Sequence, residues 1–237
     1  MSLCSICPLP ICPFASSPAS LSNYSSPVKH RDQVVIRIAT AADAPFSQQI
    51  TEEMAASAQA RGTGIARRTP EYIEEKMGQG KAVIAHTPDG RWVGFCYIET
   101  WGHEEFVANS GLIVHPDFRG MGVATAIKRR IFQLSRDKYP HAKIFGLTTG
   151  LAVMKINSEL GYEPVTYSEL TQDDAFWQGC RSCVNYEILQ SKGRKNCMCT
   201  AIMAGRDSFL PTILRRWRPI FTPLPKAWAM VFRWPGY

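Results

Sequence analysis

The chain has 237 residues, 45% of them hydrophobic, and a formal charge of +7, which is long enough for one sizeable core with appendages. The charge does not single out nucleic acid as a partner: nine Lys/Arg against one Asp in residues 192–237 account for all of it, leaving residues 1–191 close to neutral. The sequence contains no run of 18 or more apolar residues, so no membrane-spanning helix is expected.

Residues 1–32, with five Pro and eight Ser, read as a disordered leader because such a composition buries too little apolar surface to offset chain ordering. Pro8, Pro10 and Pro13 interrupt its apolar run and no basic segment precedes it, so it lacks the pattern of a secretory signal, and a cytoplasmic location is expected. An over-extended reading frame with a true start near Val34 is an alternative reading.

From Val34 the elements follow in order. Val34 to Ala39 is a strand, and Thr40 with Asp43 starts a helix that runs toward Arg61 with Phe46, Ile50 and Met54 on one face. A glycine-containing loop, Arg61 to Pro70, leads into a short helix to about Met77, Pro70 suiting a first helical position. Lys81 to His86 and Trp92 to Trp101 are strands joined by the Pro88-Asp89-Gly90 turn. A second turn at Gly102-His103-Glu104 returns the chain into a strand from Phe106 to Val114. After a central helix come a strand at Lys143 to Leu147, a helix at Leu151 to Leu160 and a strand at Tyr162 to Thr166. The expected fold class is α/β, a mixed, mostly antiparallel sheet flanked by helices.

The stretch from Gly111 to Arg130 carries the most chemistry. Leu112, Ile113 and Val114 end a strand at His115-Pro116-Asp117, and Arg119-Gly120-Met121-Gly122 opens a helix with Val123, Ile127, Ile131 and Leu134 at helical spacing. The first N–H groups of a helix have no partner inside it, and glycine carries no Cβ to hold a ligand away. Such a turn suits a pyrophosphate or similar anion.

Arg119-x-x-Gly122-x-Ala124, directly after a strand ending in Val-His-Pro, resembles the acyl-CoA-binding motif of the GNAT superfamily of N-acyltransferases. The resemblance implies the GNAT fold, with acetyl-CoA or another acyl-CoA as co-substrate at Ile113, Val114, Arg119, Gly120, Met121, Gly122, Val123 and Ala124. It further implies that the strand splays from its neighbour so that its backbone can bond the pantetheine arm. Gly64-Ile65-Ala66-Arg67-Arg68, Phe145-Gly146-Leu147-Thr148-Thr149 and Gly161-Tyr162-Glu163-Pro164-Val165 resemble segments of N-acetylglutamate synthases. Single-domain bacterial GNAT proteins of arginine biosynthesis are more similar still. The likeness covers about Gln33 to Leu189 and implies a small amino-acid substrate, glutamate, with no nucleic-acid partner and a homodimer as a candidate assembly. Two departures stand beside it. The Tyr that many GNAT enzymes use as general acid near the end of the fourth helix is Asn157 here, and where the synthases tend to place a Glu early in the central strand this chain has Ala108 and Asn109.

The reaction needs a neutral amine at the thioester carbonyl, donors for the oxyanion and an exit for the thiolate. A lysine amine with a pKa near 10.4 is neutral only about once in two thousand at pH 7, so a carboxylate that takes the proton directly or through water is useful. Glu99 and Glu105 are the candidate catalytic residues, with solvated strand-end charges as the alternative reading. Arg67 and Arg68 are the candidate substrate-binding residues together with Asn109, because guanidinium grips a carboxylate bidentately and orients the amine. A GNAT enzyme acting on a protein amine or polyamine would call for an acidic groove in place of these arginines.

Cys180-x-x-Cys183 and Cys197-Met-Cys199 have zinc-ligand character, four thiolates from two knuckles, with small core residues as the alternative. With Asn157 in place of Tyr, the four thiols also allow a non-catalytic acyl-CoA-binding or zinc-ribbon module. The expected organisation is a leader at 1–32, the acyltransferase domain at 33–191, a Cys-containing extension at 192–203 and an irregular basic tail at 204–237. Both ends look foreign to the middle, and the tail reads as translation past a frameshift or, in composition, as a membrane-surface segment.

Overall fold

The computed structural model describes residues 34–62 and 67–205. The expectations for the leader, for Gly64-Ile65-Ala66 and for the tail beyond residue 205 lie outside the described residues.

Strand β1 (Val35–Ile38) leads into a 3₁₀ helix (Ala41–Phe46) and helix α1 (Ser47–Ala60). One continuous helix was the expectation. The first six residues wind more tightly because Pro45, inside the segment, has no N–H to donate to a preceding turn. Thr40 and Asp43 form the capping box that starts it. Asp43 is buried and accepts from Arg37 Nη1 and Nη2 at 2.7 and 2.6 Å, so the pair staples β1 to this turn.

Burial alone would raise the Asp43 pKa, but the bonds from Arg37 and Thr40 outweigh it and hold the carboxyl below its ordinary value. A depressed carboxyl contributes stability above its unfolded pKa, and loses that contribution as the pH falls through the lower folded value. Urea unfolding of the wild type and Asp43→Asn should show a constant difference above about pH 5 that narrows below it. A pH-independent difference would overturn this account.

Helix α2 (Pro70–Gly78) starts at Thr69, whose side chain accepts from the Tyr72 N–H, and has Pro70 in its first turn. Strands β2 (Ala82–His86), β3 (Trp92–Trp101) and β4 (Phe106–Val114) pair antiparallel, as the two turns require. Helix α3 (Val123–Lys138) crosses to β5 (Lys143–Thr148), helix α4 (Leu151–Glu159) to β6 (Tyr162–Pro164), and β7 (Thr200–Ala204) closes the sheet. The strand order is β1-β2-β3-β4-β5-β7-β6, and only β4 and β5 run parallel. β6 stops at Pro164, two residues short of expectation, and β7 was not legible as a strand. It inserts between β5 and β6, so the sheet extends through Ala204.

Side chains alternate across the sheet. On one face Ile50 and Met54 of α1 and Ile73 and Met77 of α2 pack on Ile84, Phe95 and Tyr97. On the other, Val123, Ile127, Ile131 and Phe132 of α3 pack on Val83, Cys96, Ile98 and Val107. Gly111 bulges β4 opposite Cys96 at φ +64°, and a Cβ there would lie 2.2 Å from the Tyr97 ring, so only glycine fits. Among the described residues, no helix is long and apolar enough to cross a membrane.

Candidate active site

Two features of the sheet define a groove. The β4–β5 pairing covers only Phe106–Ala108 against Lys143–Phe145, after which β5 pairs with β7 alone and β4 runs on to Val114 paired with β3 alone. The strands therefore part as a fork. His115 N–H bonds Val93 O across to β3, so by alternation Leu112 and Val114 turn their backbone groups into the fork. The Val114 carbonyl is taken by Arg119 Nε at 3.0 Å.

At the mouth of the fork lies the start of α3. Gly122 is its N-cap at φ +81° and Gly120 stands at φ +76°. The helix has no side-chain cap and no acid in its first turn, which leaves its leading N–H groups and positive dipole end for an anion. A groove beside it is lined by Met121, Gly122, Ala126, Arg129 and Arg130, so two guanidinium groups border the same wall. Sequence reasoning passed over Arg129 and Arg130. Their signal was helical spacing, since seven or eight residues beyond Gly122 is two turns along one face.

Across β4 a polar cluster forms on the α1–α2 face. Tyr97 and Glu99 lie on the same side of β3, and α2 with the segment leading into it brings Tyr72 and Arg68 over them. Arg68 donates from Nε to Tyr97 Oη at 2.9 Å and from Nη2 to Glu99 Oε1 at 3.1 Å, and Tyr72 Oη donates to the same Oε1 at 2.5 Å. Tyr72 also places its ring under the guanidinium, 5.2 Å from Cζ to the centroid. Burial pulls the Arg68 pKa down, but Tyr97 and Glu99 beside it outweigh that and hold it above its ordinary value. Tyr72 is raised by burial and by the Glu99 charge, so it stays a donor. The described bonds to Glu99 all fall on Oε1, which leaves Oε2 to face a further donor.

The remaining expected residues separate. Arg67 is exposed, and among the described residues it is tied through its backbone N–H to Ser182 Oγ at 3.0 Å and its carbonyl to Arg68. Glu105 sits at the closed end of the fork, paired with Lys143 at 3.1 Å and 59% exposed, away from Glu99. The Asn109 side chain points to the α3 face. There Oδ1 accepts from Ser135 Oγ at 2.6 Å and Nδ2 approaches Tyr162 Oη at 3.4 Å, so the side chain is buried against α3, away from the Arg68–Glu99 cluster. Arg119 reaches Glu53 at 2.6 Å and anchors the turn to α1. Ile113 and Val114 bury their side chains, and since the Ile113 backbone faces β3, only that of Val114 is turned into the fork.

Cys180, Cys183, Cys197 and Cys199 do meet, lining one small pocket under Tyr167 and Trp177 as free thiols. The expected zinc arrangement is not formed: among the described residues no three His, Cys, Asp or Glu side chains are placed to hold a metal ion. In place of facing strands, one pair sits on a 3₁₀ turn (Gly179–Ser182) and its exit, and the other on the lead-in to β7. Cys183 Sγ accepts from Asn185 N–H, and Cys197 Sγ donates to Asn185 O. Burial pushes Cys180 up to about 11 and Cys199 up to about 12, which favours neutral thiols.

The site is thus a forked sheet with a glycine-led, uncapped helix at its mouth, an arrangement suited to an extended ligand that carries an anion. The sequence model of the acetyltransferase (GNAT) family matches residues 71–152, about a third of the chain. Comparison with curated proteins gives no match. Among solved structures, N-acetylglutamate synthase from Neisseria gonorrhoeae, complexed with coenzyme A and N-acetyl-glutamate, is similar at 19% identity and TM-score 0.51, over 72% of this chain and 34% of that one. The chain thus spans about a third of the synthase's length. Rv2747 from Mycobacterium tuberculosis, in complex with CoA and NLQ, is similar at 19% identity and TM-score 0.51, over 72% of this chain and 98% of that one. At these identities the likeness is one of fold.

Proposed function

We propose that the chain is an acyl-CoA-dependent N-acyltransferase acting on the amine of a small amino acid, glutamate foremost, in arginine biosynthesis, with acetyl as the donor group and succinyl as the alternative. The observation that carries this reading is the fork between β4 and β5 ending at the uncapped start of α3. The pantetheine arm takes the place of the missing strand partner along Leu112 and Val114. The pyrophosphate meets the N–H groups from Gly120 to Ala124, with Arg129 and Arg130 beside it.

Glu99 Oε2 takes the proton from the acceptor ammonium, directly or through water. The freed amine attacks the thioester carbonyl and the N–C bond forms as β4 backbone N–H groups hold the tetrahedral oxyanion; its collapse breaks the C–S bond, and the departing CoA thiolate takes up the proton that the new amide nitrogen sheds. The gonococcal synthase structure holds N-acetyl-glutamate, and the Arg67-Arg68 loop beside Glu99 suits the same acceptor chemistry. Free-thiol release from acetyl-CoA should be at least about tenfold more efficient, as kcat/KM, with glutamate than with polyamines or peptides. Turnover confined to polyamines or peptides would overturn the acceptor assignment.

With Arg68 committed to Glu99, the exposed Arg67, whose side chain has no partner among the described residues, is the one to meet a substrate carboxylate. Arg67→Ala should raise KM for glutamate roughly ten- to a hundredfold and leave KM for acetyl-CoA nearly unchanged, the loss of one charge-assisted contact. Arg67→Lys should recover only part, because a point charge does not reproduce the planar fork. A wild-type KM in Arg67→Ala would remove Arg67 from the acceptor site.

A further inference from the structure

Lys128 lies on the inner face of α3, 3% exposed, in a position that helical spacing would assign to an apolar residue. Burying an amine costs free energy that a methionine at the same place would not, so some specific contact must offset it. Among the described residues no carboxylate pairs with it. The groups against it are the Cys96 thiol, pushed up to about 11 by burial and hence neutral, and the Tyr162 ring, 5.9 Å from Nζ to the centroid. Its hydrogen bond goes to the Asn109 carbonyl at 3.3 Å.

That carbonyl stands at a particular place. Ile98, the β3 partner of Asn109, sends its N–H to Lys81 on the β2 side at 2.7 Å, so Asn109 turns its own backbone groups away from β3, toward β5. On that side the parallel ladder begins with Lys143 N–H donating to Glu105 O at 2.8 Å. Two-residue steps would bring Phe145 N–H to Val107 O and then Leu147 N–H to Asn109 O. Pairing stops at Ala108–Phe145, one step earlier. Lys128 Nζ therefore occupies the acceptor that the next ladder bond would use, at the apex of the fork.

We propose that Lys128 is a positioning residue, a wedge that satisfies the Asn109 carbonyl from α3 and so keeps β4 and β5 from zipping together where the thioester must lie. The placement of the thioester rests on the proposed function; the wedge itself does not. It follows that the backbone geometry of the fork depends on a side chain outside the glycine turn.

Amide hydrogen exchange tests the wedge in the full chain. In the wild type, Leu147 N–H should exchange faster than Phe145 N–H, because only the latter has a β4 partner. In Lys128→Met the Asn109 carbonyl is released, Leu147 exchange should slow about tenfold or more, and the acetyl-CoA Kd should rise about tenfold with the melting temperature held or raised. A merely structural lysine would lower the melting temperature and leave both Leu147 exchange and Kd unchanged, which would overturn the proposal. Should Lys128→Met fail to fold, the wild-type comparison decides alone: Leu147 protected as well as Phe145 means the ladder continues and no wedge exists. If the wild type binds no acetyl-CoA, the proposed function falls while the exchange comparison still judges the wedge.

Discussion

Arg68→Ala is expected to destabilise the fold by roughly 2–4 kcal/mol, because it strands the Glu99 carboxylate in a largely buried site with Tyr72 as its remaining partner. Arg68 is 19% and Glu99 10% exposed at the side chain, so water offers little relief to either charge left alone. The double variant Arg68→Met with Glu99→Gln should recover most of the loss, since removing both charges also removes the desolvation penalty. Chemical denaturation of the single and double variants gives the coupling directly. A single variant within about 0.5 kcal/mol of the wild type would mean the pair is solvated and contributes as little as an ordinary surface ion pair. Activity measured on Arg68→Ala mixes this structural loss with any loss of substrate contact, so Arg67 is the cleaner probe of the acceptor.

The distinction between these two arginines shows what the sequence could carry. Their placement in a loop leading to Pro70 was readable, and so was the helix that follows. Which guanidinium turns inward was not, because that depends on Tyr97 and Glu99 arriving on the same side of β3 from about thirty residues away. Period-two alternation put Tyr97 and Glu99 on one face, but nothing local said that α2 would lie over that face.

The glycine turn, the helix after it and the first four strands were legible because each is set by neighbours in the chain. The fork was implied only by family likeness. In the structure it is the end of the β4–β5 ladder at Ala108–Phe145 while β5 continues along β7 on its other edge, and neither that end point nor β7, whose five residues follow two cysteines and show no marked alternation, is set by neighbours in the chain. The cysteines show the same limit: Cys-x-x-Cys and Cys-x-Cys describe spacing, whereas the thiols' directions are set by a 3₁₀ turn and by bonds to Asn185. Asn109 illustrates the complementary failure. A polar residue in a central strand suggests a site, yet here it faces Ser135 and Tyr162 and completes the packing under α3.

The largest effect on ligand binding is expected at Gly122, and the structure dictates how it must be tested. At φ +81° the residue is left-handed, so Gly122→Val places a β-branched side chain where L-residues are strained by about 1–2 kcal/mol. Lost binding in that variant alone could reflect a displaced turn. Asn tolerates the left-handed region far better than Val, so Gly122→Asn should keep the turn while still setting a side chain where the pyrophosphate approaches. Calorimetry should then find acetyl-CoA affinity reduced by at least about tenfold in both variants, with the melting temperature depressed mainly in the Val form. Gly120→Asn offers a companion measurement, because a Cβ there meets no protein atom within 4 Å and Asn is among the side chains that best tolerate its φ of +76°. Wild-type affinity in both Asn variants would remove the start of α3 from the binding site, and with it the observation on which the acyl-CoA assignment rests.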